Sequence, residues 1–459
     1  MFFRGNRPGQ EQFATYQRSI APAGLSWNPT ADGPQRNLPV GLRRTHVRHT
    51  RQGPSDAFSL PSRFHVESSR YMSQAQTTDP IPLFDLHLDD SQVERVAEVL
   101  RSGWLSMGPK VESFEAEFAE HLGIAHSVAV NSCTAALHLA YLAAGIGPGD
   151  EVIVPGITFV ATAAAVRYCG GTPILADIIG DNDLSLDPDD VATRIGPRTK
   201  AICAVHYGGY AAPVSSLQEL CERYGLTLIE DAAHSPDATP PSSNRNLGTF
   251  GFAATFSFFS NKVLSCGEGG LLATNDAGVA DLARSLRSHA LTSTTWDRHR
   301  HADLSYDVTD LGFNYRLDEA RAALLSSRLP HLADDITARR RLTHLYRSLL
   351  REVDGITLPY SDDQVEVSSC YTMPIILSDG SIRDPVRQRL LDQHHIQTSV
   401  LYPSISEFAA YGKGQTRLPR CEHAAGAQLS LPLYPHLGDQ RVKRVVDALE
   451  ESLTAVTSF

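Results

Sequence analysis

Short apolar runs alternate with helix-like stretches through the middle of the chain. The runs that predict strands are Ser127–Val130, Glu151–Val154, Pro173–Ala176, Ala201–Val205 and Leu226–Ile229. The stretches that predict helices between them are Thr134–Ala144, Val160–Tyr168, Pro188–Arg194 and Ser216–Tyr224. Strands that alternate with helices in this way usually lie parallel, and the helices cover both faces of the sheet. The pattern therefore predicts an α/β fold with a mostly parallel sheet.

The flanking regions predict two domains. Ala253–Phe256 and Gly270–Thr274 add two strands, so we expect a seven-stranded sheet in a large domain over residues 81–330. Helical patterns stand at Asp89–Ser102, Glu112–Leu122, Asp318–Leu329, Ala338–Leu350 and Arg441–Leu453. The strand-like stretch Tyr371–Leu377 lies among the last of these helices. A smaller C-terminal α+β domain is therefore predicted for residues 331–459.

The first 80 residues have a different composition from the rest. Up to Arg70 they contain ten arginines, no lysine and four acids, and they show no sustained apolar period. Because such a segment buries little apolar surface, we expect residues 1–80 to be a disordered N-terminal extension. The alternatives are that this segment is an organelle transit peptide, or that translation of the protein starts at Met72.

Charge and cysteine usage exclude several classes of protein. The net charge is −11 and the pI is near 5.9, which argues against a nucleic-acid partner, since such a partner requires a basic face. The seven cysteines are scattered without a CxxC pair, so neither a zinc site nor a disulfide framework is expected. No apolar run approaches the roughly 20 residues of a membrane helix. We expect a cytoplasmic protein that acts on small molecules.

A turn of small residues follows the first predicted strand. Asn131, Ser132, Cys133 and Thr134 lead directly into a predicted helix. Ligands of open α/β sheets bind beyond the carboxyl ends of the strands. The free backbone N–H groups at a helix start suit a phosphate group. A plain helix cap by Ser132 or Thr134 is the alternative.

Two acids follow the strand Leu226–Ile229. Glu230 and Asp231 stand where a buried parallel strand is expected to end. A carboxylate in that place is costly unless a cation or a hydrogen-bond donor meets it. The alternative is an acid that caps the next helix.

One lysine stands in an unusual setting. Lys262 lies between the aromatic run Phe256–Phe259 and the glycine-rich turn Gly267–Gly270, with a predicted strand on either side. A lysine that forms a Schiff base must be partly desolvated, so that its amine is neutral and nucleophilic. Ser257, five residues earlier, is placed to reach a phosphate at the same site. We therefore predict a catalytic role for Lys262 rather than an exposed position on a helix.

An ordered set of motifs carries a family resemblance. The motifs are Ser132–Leu137, Gly147–Val152, Pro155–Phe159, Val205–Gly208, Ile229–His234, Ser257–Lys262, Gly312–Arg316 and Leu429–Pro435. Together they resemble the DegT/StrS-type sugar aminotransferases, within the fold-type I pyridoxal-phosphate enzymes. The resemblance runs from about Ile81 to Leu453 and implies both that fold and a transaminase activity.

The resemblance implies a role for each residue around the cofactor ring. Lys262 would form the Schiff base with pyridoxal 5'-phosphate and later move a proton. Asp231 would pair with the pyridine nitrogen, which is how an acid tunes this cofactor. His234 would lie beside Asp231, where many relatives have glutamine, and Phe159 would stack on the ring.

The resemblance also implies a phosphate site and a homodimer with shared active sites. Cys133, Thr134 and Ser257 would hold the phosphate, and Asn314 would reach the phosphate of the neighbouring subunit. Asn314 itself is otherwise a natural helix-entry cap. It lies some fifty residues past the lysine, beyond the polar stretch Thr292–Asp310, which we expect to be an exposed loop. A return to its own cofactor would need a long path.

The implied reaction moves an amino group from L-glutamate or glutamine to a keto group, expected on a nucleotide-linked deoxysugar. A keto-cyclitol or another cyclic ketone is the alternative acceptor, and a non-catalytic, cofactor-binding regulatory protein is the alternative outside enzymes. Some relatives are sugar dehydratases, which have histidine at the position of Lys262, so the lysine argues against that activity. Many relatives also have histidines at the positions of Leu401 and Ser406, in a loop near the acceptor, so this departure leaves the acceptor open.

Overall fold

The computed structural model describes residues 79–293, 295–301 and 305–457. The predicted disorder of residues 1–80 therefore falls, apart from Asp79 and Pro80, outside the described residues. Among the described residues, no helix combines the length and the apolar character that crossing a membrane requires.

The strands of a seven-stranded sheet and a short hairpin lie in roughly the first half of the described chain. The strands are β1 (His126–Val130), β2 (Glu151–Pro155), β3 (Thr172–Ala176), β4 (Ile178–Gly180), β5 (Asp183–Leu186), β6 (Thr199–Val205), β7 (Thr227–Asp231), β8 (Ala253–Ser257) and β9 (Gly270–Thr274). The order across the large sheet is β1-β9-β8-β7-β6-β2-β3. Strands β8, β7, β6, β2 and β3 pair in parallel, and β9 runs antiparallel between β1 and β8. The predicted mostly parallel sheet is confirmed, whereas the β4–β5 hairpin was not predicted.

Helices cover this sheet and continue to the end of the described chain. They are α1 (Asp90–Ser102), α2 (Pro109–Leu122), α3 (Cys133–Ala143), α4 (Ala161–Tyr168), α5 (Pro188–Arg194), α6 (Val214–Tyr224), α7 (Ala277–Leu286), α8 (Thr295–His301), α9 (Glu319–Arg328), α10 (Leu332–Leu350), α11 (Asp362–Val367), α12 (Arg383–His394), α13 (Pro419–Ala427) and α14 (Asp439–Thr457). Helix α2 begins three residues before the predicted start, because Pro109 is preorganised for the first helical position. Helix α8 lies within the stretch 292–310, so the expectation that this whole stretch is a loop is wrong.

The strands of the large sheet are buried on both faces. In β6 all residues except Lys200 are buried, and in β9 all five are. Burial on both faces explains why these strands read as continuous apolar runs rather than as alternating ones. Each fully buried Val, Leu or Ile side chain stabilises the fold by about 1.5–3 kcal/mol.

A second sheet lies in the C-terminal part. It consists of β10 (Ile356–Thr357), β11 (Met373–Leu377) and β12 (Gln428–Leu431), all antiparallel, in the order β10-β11-β12. Helices α10 and α12 both pack against α14 in the same region. The predicted domain boundary near residue 330 stays a prediction, and this sheet lies wholly beyond it.

The carboxyl ends of β1, β7 and β8 meet at one edge of the large sheet. Because β9 is antiparallel to both β1 and β8, these strands point the same way and end at Val130, Asp231 and Ser257. Strand β9 starts at this edge with Gly270, which pairs with both Val130 and Ser257. A Cβ at Gly270 would lie 2.3 Å from the carbonyl carbon of Ser132. Only glycine therefore allows the start of helix α3 to lie so close to the sheet.

Candidate active site

Lys262 lies in the segment that leaves β8. Its backbone N–H donates to the carbonyl of Phe259 at 2.8 Å, and its side chain is half-buried. The Nζ atom lies 4.4 Å from the ring centroid of Tyr371. Burial lowers the pKa of Lys262 to about 8, although Cys133 and Asp231 act in the opposite direction. At pH 7 about a tenth of the amine is then neutral, which is the form that a nucleophilic lysine needs.

Asp231 is the last residue of β7 and is buried. Its Oδ2 accepts a hydrogen bond from the Thr162 hydroxyl at 2.8 Å, and its Oδ1 accepts one from the Ala233 N–H at 3.2 Å. Burial raises the pKa of Asp231, and the Thr162 and Ala233 donors only partly oppose this effect. The carboxylate is thus held in one orientation by two neutral donors, and a cationic partner would stabilise its charge.

Glu230, the other acid of the pair, is held by hydrogen bonds within the fold. It is fully buried and accepts hydrogen bonds from the N–H groups of Gly248, Phe250 and Gly251 at 2.7–2.8 Å. The His206 imidazole is 3.0 Å away. Burial alone raises the pKa of Glu230, but these donors bring it below its usual value. Since adjacent strand residues point to opposite faces, Glu230 faces away from Asp231.

Cys133 and Thr134 are the first two residues of helix α3. Ser132 is the N-cap and accepts a hydrogen bond from the Ala135 N–H at 3.2 Å, so the predicted capping role is present. The N–H groups at the first helical positions have no acceptor within the helix and can serve an anion. Burial and the nearby Asp231 raise the pKa of the Cys133 thiol well above its usual value. The thiol is thus neutral beside Asp231 and Lys262.

His234 is buried three residues beyond Asp231. Its Nδ1 accepts from the Gly208 N–H at 3.2 Å, so in a neutral ring the proton is on Nε2. This Nε2–H faces the Tyr402 hydroxyl at 3.2 Å. Burial lowers the pKa of His234 well below its usual value, and Lys262 lowers it further. The imidazole is therefore uncharged at neutral pH.

The remaining predicted site residues are Phe159, Ser257 and Asn314, and none of them is fully buried. The Phe159 ring is 53% exposed, and its centroid is 5.6 Å from that of Tyr402. Ser257 is half-buried and pairs with Gly270. Asn314 is exposed, and its carbonyl accepts a hydrogen bond from the Asn131 side chain at 3.2 Å.

Three residues of the site were not singled out from the sequence: Thr162, Tyr371 and Tyr402. Thr162 lies in the first turn of α4, directly after the Phe159 motif, and only the fold shows that it faces Asp231. Tyr402 stands in the loop where the departure from the family pattern was noted. Tyr371 was read only as part of a strand.

The residues present fit pyridoxal phosphate. Gly270 allows the free N–H groups of Cys133 and Thr134 to face the sheet edge, where a phosphate can bind. On the same edge the buried Asp231 carboxylate is met by neutral donors and suits a protonated ring nitrogen. The half-buried Lys262 amine completes the set, because it acts electrostatically on both Cys133 and Asp231.

Known proteins are similar to this chain in sequence and in fold. The sequence model of the DegT/DnrJ/EryC1/StrS aminotransferase family matches residues 87–450. The chain is 36% identical over 367 residues to the spore coat polysaccharide biosynthesis protein SpsC of Bacillus subtilis (strain 168), with 78% of this chain and 94% of that protein covered. It is also 36% identical over 381 residues to the dTDP-4-dehydro-2,3,6-trideoxy-D-glucose 4-aminotransferase of Saccharopolyspora spinosa, with 81% and 97% covered.

A solved structure agrees with these sequence matches. The crystal structure of DesV from S. venezuelae, in complex with a ketimine intermediate, superposes with a TM-score of 0.74 and 36% identity. The match covers 81% of this chain and 98% of DesV.

Proposed function

We propose that this chain, which belongs to the DegT/DnrJ/EryC1/StrS aminotransferase family, moves an amino group from L-glutamate to the keto group of a nucleotide-linked deoxysugar. Its family membership makes it a pyridoxal-phosphate-dependent transaminase of fold-type I. The observation that carries the proposal is the meeting of Lys262, Asp231 and the start of helix α3 at one sheet edge. The acceptor is proposed from the dTDP-linked ketodeoxysugar in the name of the Saccharopolyspora spinosa relative.

The bound cofactor supplies an electron sink that makes a proton on the donor carbon removable. Lys262 is the base that takes this proton, because its lowered pKa provides neutral amine near pH 7. In the return half of the reaction the same amine, now protonated, delivers a proton to the carbon that is aminated. Asp231 would keep the ring nitrogen of the bound cofactor protonated, and the Thr162 hydroxyl donates to the carboxylate and limits its rotation.

Space for a small ligand lies next to Lys262. A cavity of about 350 Å³ borders Asn261 and Lys262 on one side and Phe84–His87 on another. Cavities of this size accept small organic molecules. Asp231 and His234 do not line it, so the cavity is distinct from the proposed cofactor position.

Incubation of the purified protein with L-glutamate and a panel of acceptors tests the proposal. The panel contains nucleotide-linked keto-deoxysugars and keto-cyclitols, and mass spectrometry follows 2-oxoglutarate and the aminated product. We expect turnover with a keto-deoxysugar nucleotide. Turnover with keto-cyclitols alone would replace the proposed acceptor, and glutamine as the only effective donor would replace glutamate.

We further propose that Asn314 serves the phosphate site of the partner subunit in a homodimer. The argument from a long return path is wrong, because the Asn131 N–H donates to the Tyr315 carbonyl at 2.8 Å within one chain. Segment 313–316 thus runs beside the proposed phosphate-binding turn of its own subunit. What supports the proposal is the exposed Asn314 side chain beside that turn, together with the family resemblance.

Mixing two impaired variants decides which subunit Asn314 serves. Asn314→Ala is expected to weaken cofactor retention by the loss of a charge-assisted hydrogen bond of about 1.5–3 kcal/mol. If Asn314 crosses the interface, a heterodimer of Asn314→Ala and Lys262→Ala subunits places both defects in one site and leaves the other intact. Random mixing should then restore about a quarter of the wild-type activity, since half of the dimers are mixed and each has one intact site. Absence of recovery, with heterodimers detected by native mass spectrometry, would place Asn314 in its own site or outside both.

A further inference from the structure

Tyr371 provides an aromatic surface beneath the amine of Lys262. It precedes β11 and is fully buried. The Lys262 Nζ atom lies 4.4 Å from its ring centroid. A cation at this distance from a tyrosine ring is attracted to the ring face, while a neutral amine gains much less. The contact therefore favours the protonated lysine at this position.

The ring of Tyr371 is fixed from several sides. The His234 ring stacks on it with a centroid distance of 4.4 Å and an interplanar angle of 24°. Phe84 stacks at 5.9 Å, and the Tyr371 N–H donates to the Gly208 carbonyl at 3.0 Å. Gly208 also donates its own N–H to His234, so one backbone residue positions both rings.

The hydroxyl of Tyr371 does not account for this fixed position. Burial raises the pKa of Tyr371 and a contact with the Tyr402 side chain opposes this effect, although among the described residues no well-formed hydrogen bond to the Tyr371 hydroxyl is present. A buried tyrosine usually finds a partner for its hydroxyl. The packed ring, rather than the hydroxyl, is thus the part of Tyr371 that the surrounding structure holds in place.

We propose that Tyr371 is a positioning residue for Lys262, whose ring face holds the ammonium group whenever the lysine is not linked to the cofactor. This inference rests on the role proposed for Lys262, because a lysine displaced by the amino donor must stay near the reacting carbon. The protonated amine would leave for solvent if nothing held it in this apolar surrounding. Tyr371 keeps it there until it returns the proton.

Other groups near the amine have separate effects. Burial disfavours the charged lysine, and the Asp231 carboxylate favours it through space, whereas the protonated Cys133 thiol carries no charge. His234 is uncharged and contributes no opposing charge at neutral pH. A test of Tyr371 must therefore change the ring's electrostatic field without changing burial or these neighbours.

Fluorination of the ring meets this requirement. Tyr371→Phe removes the hydroxyl and keeps the ring face, and 3,4,5-trifluorophenylalanine at residue 371 keeps the ring shape but weakens its negative face. The protonation equilibrium of each lysine is measured in the cofactor-free, full-length protein. The lysines compete for acetic anhydride over a series of pH values, and mass spectrometry measures how much of each is acetylated. Because only the neutral amine reacts, the yield at each pH gives the protonation equilibrium of that lysine. The chain has only five lysines, and the exposed Lys200 is the internal standard.

We expect Lys262 in Tyr371→Phe to titrate within about twofold of the wild-type equilibrium. The fluorinated ring should favour the neutral amine by about tenfold, which lowers the pKa by about one unit. The rate of a single turnover with glutamate should be lower in the fluorinated protein than in Tyr371→Phe. Equal titration of Lys262 in the two proteins would overturn the proposal, as would a higher pKa with the fluorinated ring.

This experiment is separate from the assignment of Lys262 itself. If the cofactor is attached to another lysine, the proposed function fails while the titration still reports whether the ring holds the Lys262 ammonium. If the cofactor is attached to Lys262 and fluorination has no effect, only the inference about Tyr371 fails.

Discussion

Lys262→Ala is expected to reduce turnover by about 10⁴-fold or more while the fold is retained. The variant loses both the covalent attachment of the cofactor and the base that moves the proton, and general base catalysis alone contributes about 10²–10⁴-fold. The absorbance of the cofactor–lysine linkage should disappear. Circular dichroism and the unfolding midpoint should stay near those of the wild type, since Lys262 is half-buried in a loop and not in the core.

Lys200→Ala is the matched control. Lys200 is exposed at the surface of β6 and lies 3.7 Å from Asp150 in an ion pair of the kind that contributes little. Turnover and the linkage absorbance should be unchanged in this variant. Similar losses in both variants would mean that lysine removal acts through solubility or folding and not through the site.

Asp231→Asn is expected to keep cofactor binding in part and to lose about 10²–10³-fold in turnover, the size of effect seen when a preorganised electrostatic group is removed. Asparagine fills the same volume, but its single amide oxygen can accept from Thr162 or from Ala233 and not from both, so the loss combines the charge with one hydrogen bond. The ring nitrogen would no longer be held protonated, and the electron sink would weaken. Steady-state and single-turnover rates with glutamate measure the loss, and near-wild-type rates would leave Asp231 as a structural residue.

Glu230→Gln distinguishes the two neighbouring acids. Glu230 accepts hydrogen bonds from three backbone N–H groups and faces His206. Replacing it with glutamine should therefore lower the free energy of unfolding by about 1–3 kcal/mol. At temperatures where the protein remains folded, the turnover number should change little. Denaturant unfolding and kinetics on the two variants thus separate a structural acid from a catalytic one.

The large sheet was predictable because its strands are buried on both faces and its connections are helices. Continuous apolar runs such as β2 and β6 stand out against amphipathic stretches and indicate a mostly parallel sheet, although the pattern does not predict the antiparallel direction of β9. The short strands were not predictable. The hairpin β4–β5 and strand β12 have three or four residues each, too few for a period to emerge.

The parts of the candidate site that could be predicted are those built from charged residues at positions expected to be buried. Burying a charged side chain is costly. A lysine beside a glycine-rich turn, or an acid at the end of a buried strand, is therefore recognisable in the sequence as a candidate functional residue. Glu230 and Asp231 show the limit of that reasoning, since the sequence places both at the strand end and only the alternation of faces separates their roles.

Neutral residues that act through contacts gave no such signal. Thr162 orients Asp231 from a helix 69 residues away in sequence, and Tyr402 meets His234 across 168 residues. Threonine and tyrosine are ordinary in helices, strands and loops, so their roles follow from tertiary packing. Ser132 caps helix α3 at the same place where Cys133 and Thr134 offer free N–H groups, so a helix cap and a phosphate site are compatible here and not alternatives.

The attachment point of the cofactor tests the account most directly. The purified holoenzyme is reduced with borohydride, digested and mapped by mass spectrometry, which fixes the cofactor as a stable adduct on the lysine that held it. The account predicts the adduct on the peptide that contains Lys262 and on no other. An adduct on Lys110, Lys200, Lys413 or Lys443, or full reduction of cofactor without any protein adduct, would contradict it.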